Sequence, residues 1–447
     1  MPRKPNAPLP QPVFGEPAFS EGVATPDPTA FKTAHPSDTQ QYKQIQNLLT
    51  KDVVGFDPSR AKPGDLYALQ DAWGPHGPEI VQRITQAGQI VFHCAGDTGA
   101  SNAGKYKNEV RLSDQVTADF HTAAAASQPA FFYHLGDVVY DFGESQYYYD
   151  QFYEPFRNYP APIFAVPGNH DSFVIPGTAP GKTPLTTFTR NFCALKPAIT
   201  AEAASLHRTA MTQPGVYFTL DAPFVRIIGL FSNALEDPGV ISSEGGKWPG
   251  VPDLQLAYLT AQLQRIKTEK YAGAVLLVSH HPPFTYAPPP KKGGSGGNHS
   301  SSSTMLREID TICQAQGVYP HAYLSGHAHN YQRYTRTVHF GGSDFDVPFI
   351  VCGSGGHNVN PLVQAKSGQP AQEPANGSQV GYLDPTPAVQ AKGLLLEHYD
   401  GTNYGYLRVQ VNKSQLQIGF HQVGASLAQS RVDMVTVDLA SHTMVSN

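Results

Sequence analysis

Cysteine is scarce in this chain: Cys94, Cys193, Cys313 and Cys352 are scattered over 447 residues with no Cys-x-x-Cys pair. Such sparse cysteines exclude a disulfide-built scaffold. Cys94 and Cys352 lie in apolar, strand-like runs and read as buried thiols, while a Cys193–Cys313 bridge stays open. Charge is also thin, at 15% Asp, Glu, Lys and Arg, against roughly 25% in an average soluble domain. With a net charge of −5 there is no broad electrostatic attraction to nucleic acid or to an anionic membrane, and no nucleic-acid-binding patch is expected. No stretch approaches the roughly 20 apolar residues of a membrane span. No apolar region follows Met1-Pro2-Arg3-Lys4-Pro5, so no secretory signal is visible. The expectation is a cytoplasmic protein, or an exported one whose leader has been removed. Glycine-rich runs lack the Lys-Ser/Thr or strand–helix context of nucleotide-binding loops. No Gly-x-Ser-x-Gly elbow stands at a strand-to-helix turn, which argues against a serine hydrolase.

Glycine (41) and proline (39) are plentiful, which predicts many ordered turns and long loops. Residues 1–88 read as an N-terminal extension or arm, with helical candidates at Gln40–Lys51 and at Pro78–Ala87, where Ile80, Val81 and Ile84 form one apolar stripe. Residues 89–447 read as one larger unit. Apolar strands are predicted at Gln89–Ala95, Ala130–Leu135, Pro162–Val166, Ala274–Ser279, Ala322–Ser325 and Phe349–Cys352, with a hairpin at Val216–Leu220 and Val225–Phe231. Helices are predicted at Ser113–Ala126, Ser145–Asn158, Leu254–Lys267 and Ser303–Gln316. A C-terminal β hairpin follows at Gly405–Val411 and Gln415–Val423. The alternation of strands and helices predicts an α/β layered fold rather than an all-β sandwich. Two long loops stand out. Phe173–Pro214 is placed to shape specificity. Gly293–Ser303 is either a flexible surface loop or a rim that brings His299 to a ligand.

Five short segments carry most of the chemistry: Gly96-Asp97-Thr98-Gly99, Gly136-Asp137-Val138-Val139-Tyr140, Gly168-Asn169-His170-Asp171, Ser279-His280-His281-Pro282 and Gly326-His327-Ala328-His329. Each follows an apolar strand, at the carboxyl end where open α/β sheets place their sites. Asp, Asn and His are donors that suit iron, zinc or manganese alike, and none of the segments offers a thiolate.

In this order and spacing the segments resemble the calcineurin-like binuclear metallophosphoesterases. Gly99 stands where the common pattern has a metal-binding His, and Tyr140 offers a replacement donor, so the chain looks like a purple acid phosphatase. The resemblance spans roughly residues 89–425. It implies a four-layer α/β/β/α sandwich with the metal site at the carboxyl ends of the strands. It implies Fe(III) at Asp97, Asp137, Tyr140 and His329, and a divalent Fe, Zn or Mn at Asp137, Asn169, His280 and His327, with Asp137 bridging. It also implies hydrolysis of phosphate monoesters by metal-bound hydroxide, with His170 contacting the phosphate or leaving group. Asp171, His281, His299 and His357 are candidates for a substrate rim, with Asp171 more readily orienting His170 or Asn169. A phosphodiesterase or pyrophosphohydrolase on the same scaffold is the alternative enzyme, and a catalytically silent phosphate-binding protein the alternative of another class. The partner expected is a small-molecule phosphate ester. The physiological substrate, the second metal and the oligomeric state are not legible.

Overall fold

Two β-sheets face one another across an aromatic core. The computed structural model describes residues 16–20, 56–172, 185–286, 299, 303–363, 373–380, 388–424 and 430–445. In chain order the strands are β1 (Tyr67–Ala68), β2 (Gln89–Ala95), β3 (Phe132–His134), β4 (Ile163–Ala165), β5 (Phe218–Ala222), β6 (Val225–Leu230), β7 (Ala274–Ser279), β8 (Ala322–Ser325), β9 (Tyr331–Phe340), β10 (Ser343–Cys352), β11 (Ser378–Gln379), β12 (Gln390–Asp400), β13 (Gly405–Asn412), β14 (Gln415–Gln422), β15 (Ser430–Asp438) and β16 (Thr443–Met444). One sheet runs β1-β5-β6-β7-β8-β10-β9-β12-β11 and the other β16-β15-β14-β13-β2-β3-β4. At the heart of each lies a parallel block: β6, β7, β8 and β10 in the first, and β2, β3 and β4 in the second. Parallel strands covered on both faces read as continuous apolar runs, and β6 and β7 are buried along their whole length. Between the sheets, Tyr133 stacks on Phe218 with ring centroids 6.1 Å apart, and Tyr331 stacks on Phe420 at 3.9 Å.

Four longer helices cover the outer faces: α1 (Gly77–Ala87), α2 (Ala103–Thr122), α3 (Leu254–Glu269) and α4 (Ser303–Gln316). Helix α3 buries Tyr258, Leu259, Gln262, Leu263 and Ile266, the spacing of one helical face. Tyr258 donates to Thr219 on β5. Helix α2 is tied to the other sheet by Asp119, which bonds His93 on β2 at 2.9 Å and Arg408 on β13 at 3.2 Å. The α/β/β/α layering expected from the sequence is therefore present. No described helix is long and apolar enough to cross a membrane.

Several boundaries differ from the sequence expectation. Helix α2 begins ten residues before Ser113, because the Asn102 side chain accepts from the Gly104 and Lys105 amides and caps it there. Ser113 instead lies inside the helix and donates to the Pro155 carbonyl. The segment predicted as one helix over Ser145–Asn158 is broken into a 3₁₀ turn, Ser145–Tyr147, and a π turn, Tyr149–Tyr153. Residues 56–88 contribute edge strand β1, which pairs with β5, and helix α1. Strands β9, β12 and β15 add to those predicted from the sequence. Cys193 and Cys313 are both free and buried, so the bridge left open by the sequence is absent. The Gln40–Lys51 helix, residues 173–184 of the long insertion and all of the Gly/Ser loop except His299 and Ser303 lie outside the described residues.

Candidate metal centre

The carboxyl ends of β2, β3 and β4 present Asp97, Asp137, Tyr140 and Asn169; those of β7 and β8 present His280, His327 and His329. Each sheet thus supplies half of the cluster, and backbone amides donating to its carboxylates tie the loops together, one bond across the two sheets and one between loops of the same sheet. The His327 amide donates to Asp97 Oδ2 at 2.8 Å, and the His170 amide to Asp137 Oδ1 at 2.9 Å. Three of the residues, Asp97, Asp137 and His327, adopt left-handed backbone with φ of 58°, 55° and 68°. Such conformations cost on the order of 1–3 kcal/mol each and gather at functional sites.

Two groups of donor atoms emerge. In the first, the Tyr140 hydroxyl lies 3.1 Å from Asp97 Oδ1 and 3.1 Å from His329 Nε2. Gly99 cannot carry a further donor here, because a Cβ would meet the Val138 carbonyl oxygen at 2.5 Å and Gln151 Oε1 at 2.8 Å. Gln151, which no sequence pattern singled out, holds the Tyr140 backbone from both sides, accepting from its amide and donating to its carbonyl. This inward-turned side chain belongs to the π turn that replaced the expected helix.

In the second group, His280 Nδ1 donates to the Leu135 carbonyl at 2.8 Å, which turns the other ring nitrogen inward. That Nε2 lies 2.9 Å from Asn169 Oδ1, and His327 Nδ1 lies 3.1 Å from the same oxygen. Donor atoms of Asp137, His280 and His327 fall within 4.8 Å of one another. An amide oxygen accepts and cannot donate, so a neutral His280 would set lone pair against lone pair unless a cation stood between them. Burial alone would lower the His280 pKa, but Asp137 and Asp97 outweigh it and push it up to about 9; a proton thus serves where a metal ion would bind. His327 is held neutral by burial and by the neighbouring His281 and His280, and its buried Nε2 has no hydrogen-bond partner among the described residues. The cluster therefore fits metal ions by its own chemistry.

Of the other expected residues, His170 is brought to the cluster. Its ring lies 4.3 Å from that of Tyr140, and Nδ1 donates to the Asp141 carbonyl at 2.8 Å. Burial opposes its charged form, yet Asp137, Glu236 and Asp141 together hold its pKa above the ordinary value. His299 also stands at the cluster, 5.0 Å from the His327 ring and stacked over His329 at 6.3 Å. Three rim candidates stand elsewhere. Asp171 is fully buried and accepts from the Val138, Val139 and Gly168 amides, clamping two loops together. His281 is fully buried with both ring nitrogens engaged, by Ser232 and by the Leu235 carbonyl. His357 stacks on the Tyr140 ring at 3.5 Å, donates to the Gly99 carbonyl and accepts from Lys105. In all three the polar atoms are engaged by protein partners, which braces the loops of the cluster.

The calcineurin-like phosphoesterase family matches residues 64–331 of this chain. The chain is a calcineurin-like phosphoesterase. The family binds two metal ions and hydrolyses phosphoesters, in keeping with the two donor groups. Among solved structures, this phosphoesterase is similar to GAP50, the anchor in the inner membrane complex of Plasmodium, with 10% identity, coverage of 78% of this chain and 89% of that one, and a TM-score of 0.45. It is similar also to PhoD, with 13% identity, coverage of 80% and 72%, and a TM-score of 0.42. No curated protein matches the sequence.

Proposed function

We propose that this phosphoesterase is of the purple acid phosphatase kind and hydrolyses phosphate monoesters. In this reading Asp97, Asp137, Tyr140 and His329 hold Fe(III), while Asp137, Asn169, His280 and His327 hold a divalent Fe, Zn or Mn. The observation that carries the reading is the Tyr140 hydroxyl, 3.1 Å from both Asp97 Oδ1 and His329 Nε2, opposite a Gly99 that has no room for a side chain. Burial, then Asp137 and Asp97, push the Tyr140 phenol well above its ordinary pKa.

When bound, the metal pair supplies Lewis acidity and an activated water. The protein does the rest. Asp171 fixes the loops that carry Asp137 and Asn169. His170, protonated, carries its second proton on Nε2, since the Nδ1 proton is committed to Asp141. In this reading His170 passes that proton to the leaving oxygen of a small phosphate ester, the role of a general acid. His299 stands beside His327 and His329 as a further contact for the ester.

The test is the visible absorption spectrum of oxidised, metal-replete protein. A purple to violet charge-transfer band is expected in the parent, and Tyr140→Phe is expected to abolish it. A colourless parent, or a band unchanged in the variant, would overturn the ferric reading. Turnover is expected to favour a monoester over a diester with the same leaving group; the reverse preference would assign the site to phosphodiester hydrolysis.

A further inference from the structure

The five donor loops leave two strand ends of the parallel blocks without one, those of β6 and β10; the loop that follows β6 reaches Asn169. It begins at Phe231 and is fixed from within by His281. Ser232 Oγ donates to His281 Nδ1 at 2.8 Å, the His281 amide donates back to Ser232 Oγ at 3.0 Å, and His281 Nε2 donates to the Leu235 carbonyl at 2.7 Å. The next residue is Glu236. Its Oε2 accepts from Asn169 Nδ2 at 3.2 Å, and its Oε1 lies 3.9 Å from His299 Nδ1. The loop also accepts the His299 amide through Asp237 Oδ2 at 3.1 Å.

The Asn169 amide has two ends of opposite chemistry. Only Oδ1 can ligate a metal ion; Nδ2 can only donate. Turned by half a rotation, the same side chain would aim two N–H groups at His280 and His327 and repel a cation. An ionised carboxylate accepts and cannot donate, so Glu236 pairs with one of the two orientations, the one that sends Oδ1 to His280 Nε2 and His327 Nδ1. We propose that Glu236 is the positioning residue of the second metal site, fixing the Asn169 amide with its oxygen toward the ion. This rests on the reading of Asn169 as a ligand. Loss of a partner that orients a metal ligand typically lowers metal affinity about 10–100-fold.

Two variants separate orientation from charge. Gln at 236 keeps an acceptor oxygen for Asn169 Nδ2 but loses the negative charge; Leu is similar in size and offers neither. Metal-free protein is titrated with Zn²⁺ or Mn²⁺ by calorimetry, with bound metal counted by elemental analysis and folding checked by circular dichroism. Glu236→Leu is expected to weaken the second ion about 10–100-fold, while Glu236→Gln stays close to the parent. Parent-like affinity in Glu236→Leu would overturn the proposal. So would an equal loss in both variants, which would assign the effect to long-range charge. A parent that takes up a single ion overturns the two-metal reading and this inference with it, and the parent titration reports that separately from either variant.

Discussion

Turnover of a phosphate monoester is expected to fall about 10²–10⁴-fold in His170→Ala, with both metal ions retained. The reason lies in what the ring does and does not touch. Its Nδ1 is spent on the Asp141 carbonyl, and the ring is not one of the donors that converge on Asn169 Oδ1. The hydrogen bond that His170 makes to Asp137, the proposed bridging carboxylate, comes from its backbone amide, 2.9 Å from Oδ1, and alanine keeps it. A general acid matters most for a poor leaving group. The defect should therefore shrink for an activated aryl phosphate and grow for an alkyl phosphate. Equal loss across leaving groups, or loss of metal, would make the role structural.

The second large effect is on stability. Asp310 on α4 and Arg336 on β9 form a bidentate pair, 2.9 Å and 2.5 Å, with both side chains at 0% exposure. Tyr319 donates to the same carboxylate at 2.7 Å. Removing one member leaves the other charge buried without its counter-ion, which costs about 3–5 kcal/mol. Asp310→Ala is expected to lower the free energy of unfolding by that amount, read from the shift in the denaturation midpoint. The double variant Asp310→Leu/Arg336→Met is expected to recover most of it, since an apolar pair of similar volume is near neutral. A midpoint unchanged in the single variant would show that the pair adds nothing. Because the clamp ties helix α4 to the sheet and lies outside the metal cluster, the metal content of folded Asp310→Ala should match the parent.

The sequence by itself determined the strand-end loops and the donors in them. An apolar run of four to seven residues ending in Gly-Asp, Gly-Asn-His or Gly-His-x-His is a local signal, and both the strand and the donor chemistry are written in adjacent residues. The same locality made α3 and α4 legible from their periodicity. It failed for α2, where Asn102 Oδ1 caps the helix ahead of the Ser113 start that the sequence predicts. It failed again for Ser145–Asn158, where Gln151 turns inward to hold Tyr140. Only the tertiary structure decided which polar residues face the cluster and which brace it. Asp171, His281 and His357 share composition and neighbourhood with the donors, yet their atoms are consumed by amides and carbonyls of other loops. Glu236 lies 67 residues from the Asn169 it meets, so no window of sequence joins them. Donor identity is a property of a residue; the direction a donor faces is settled by contacts between loops that two sheets bring together.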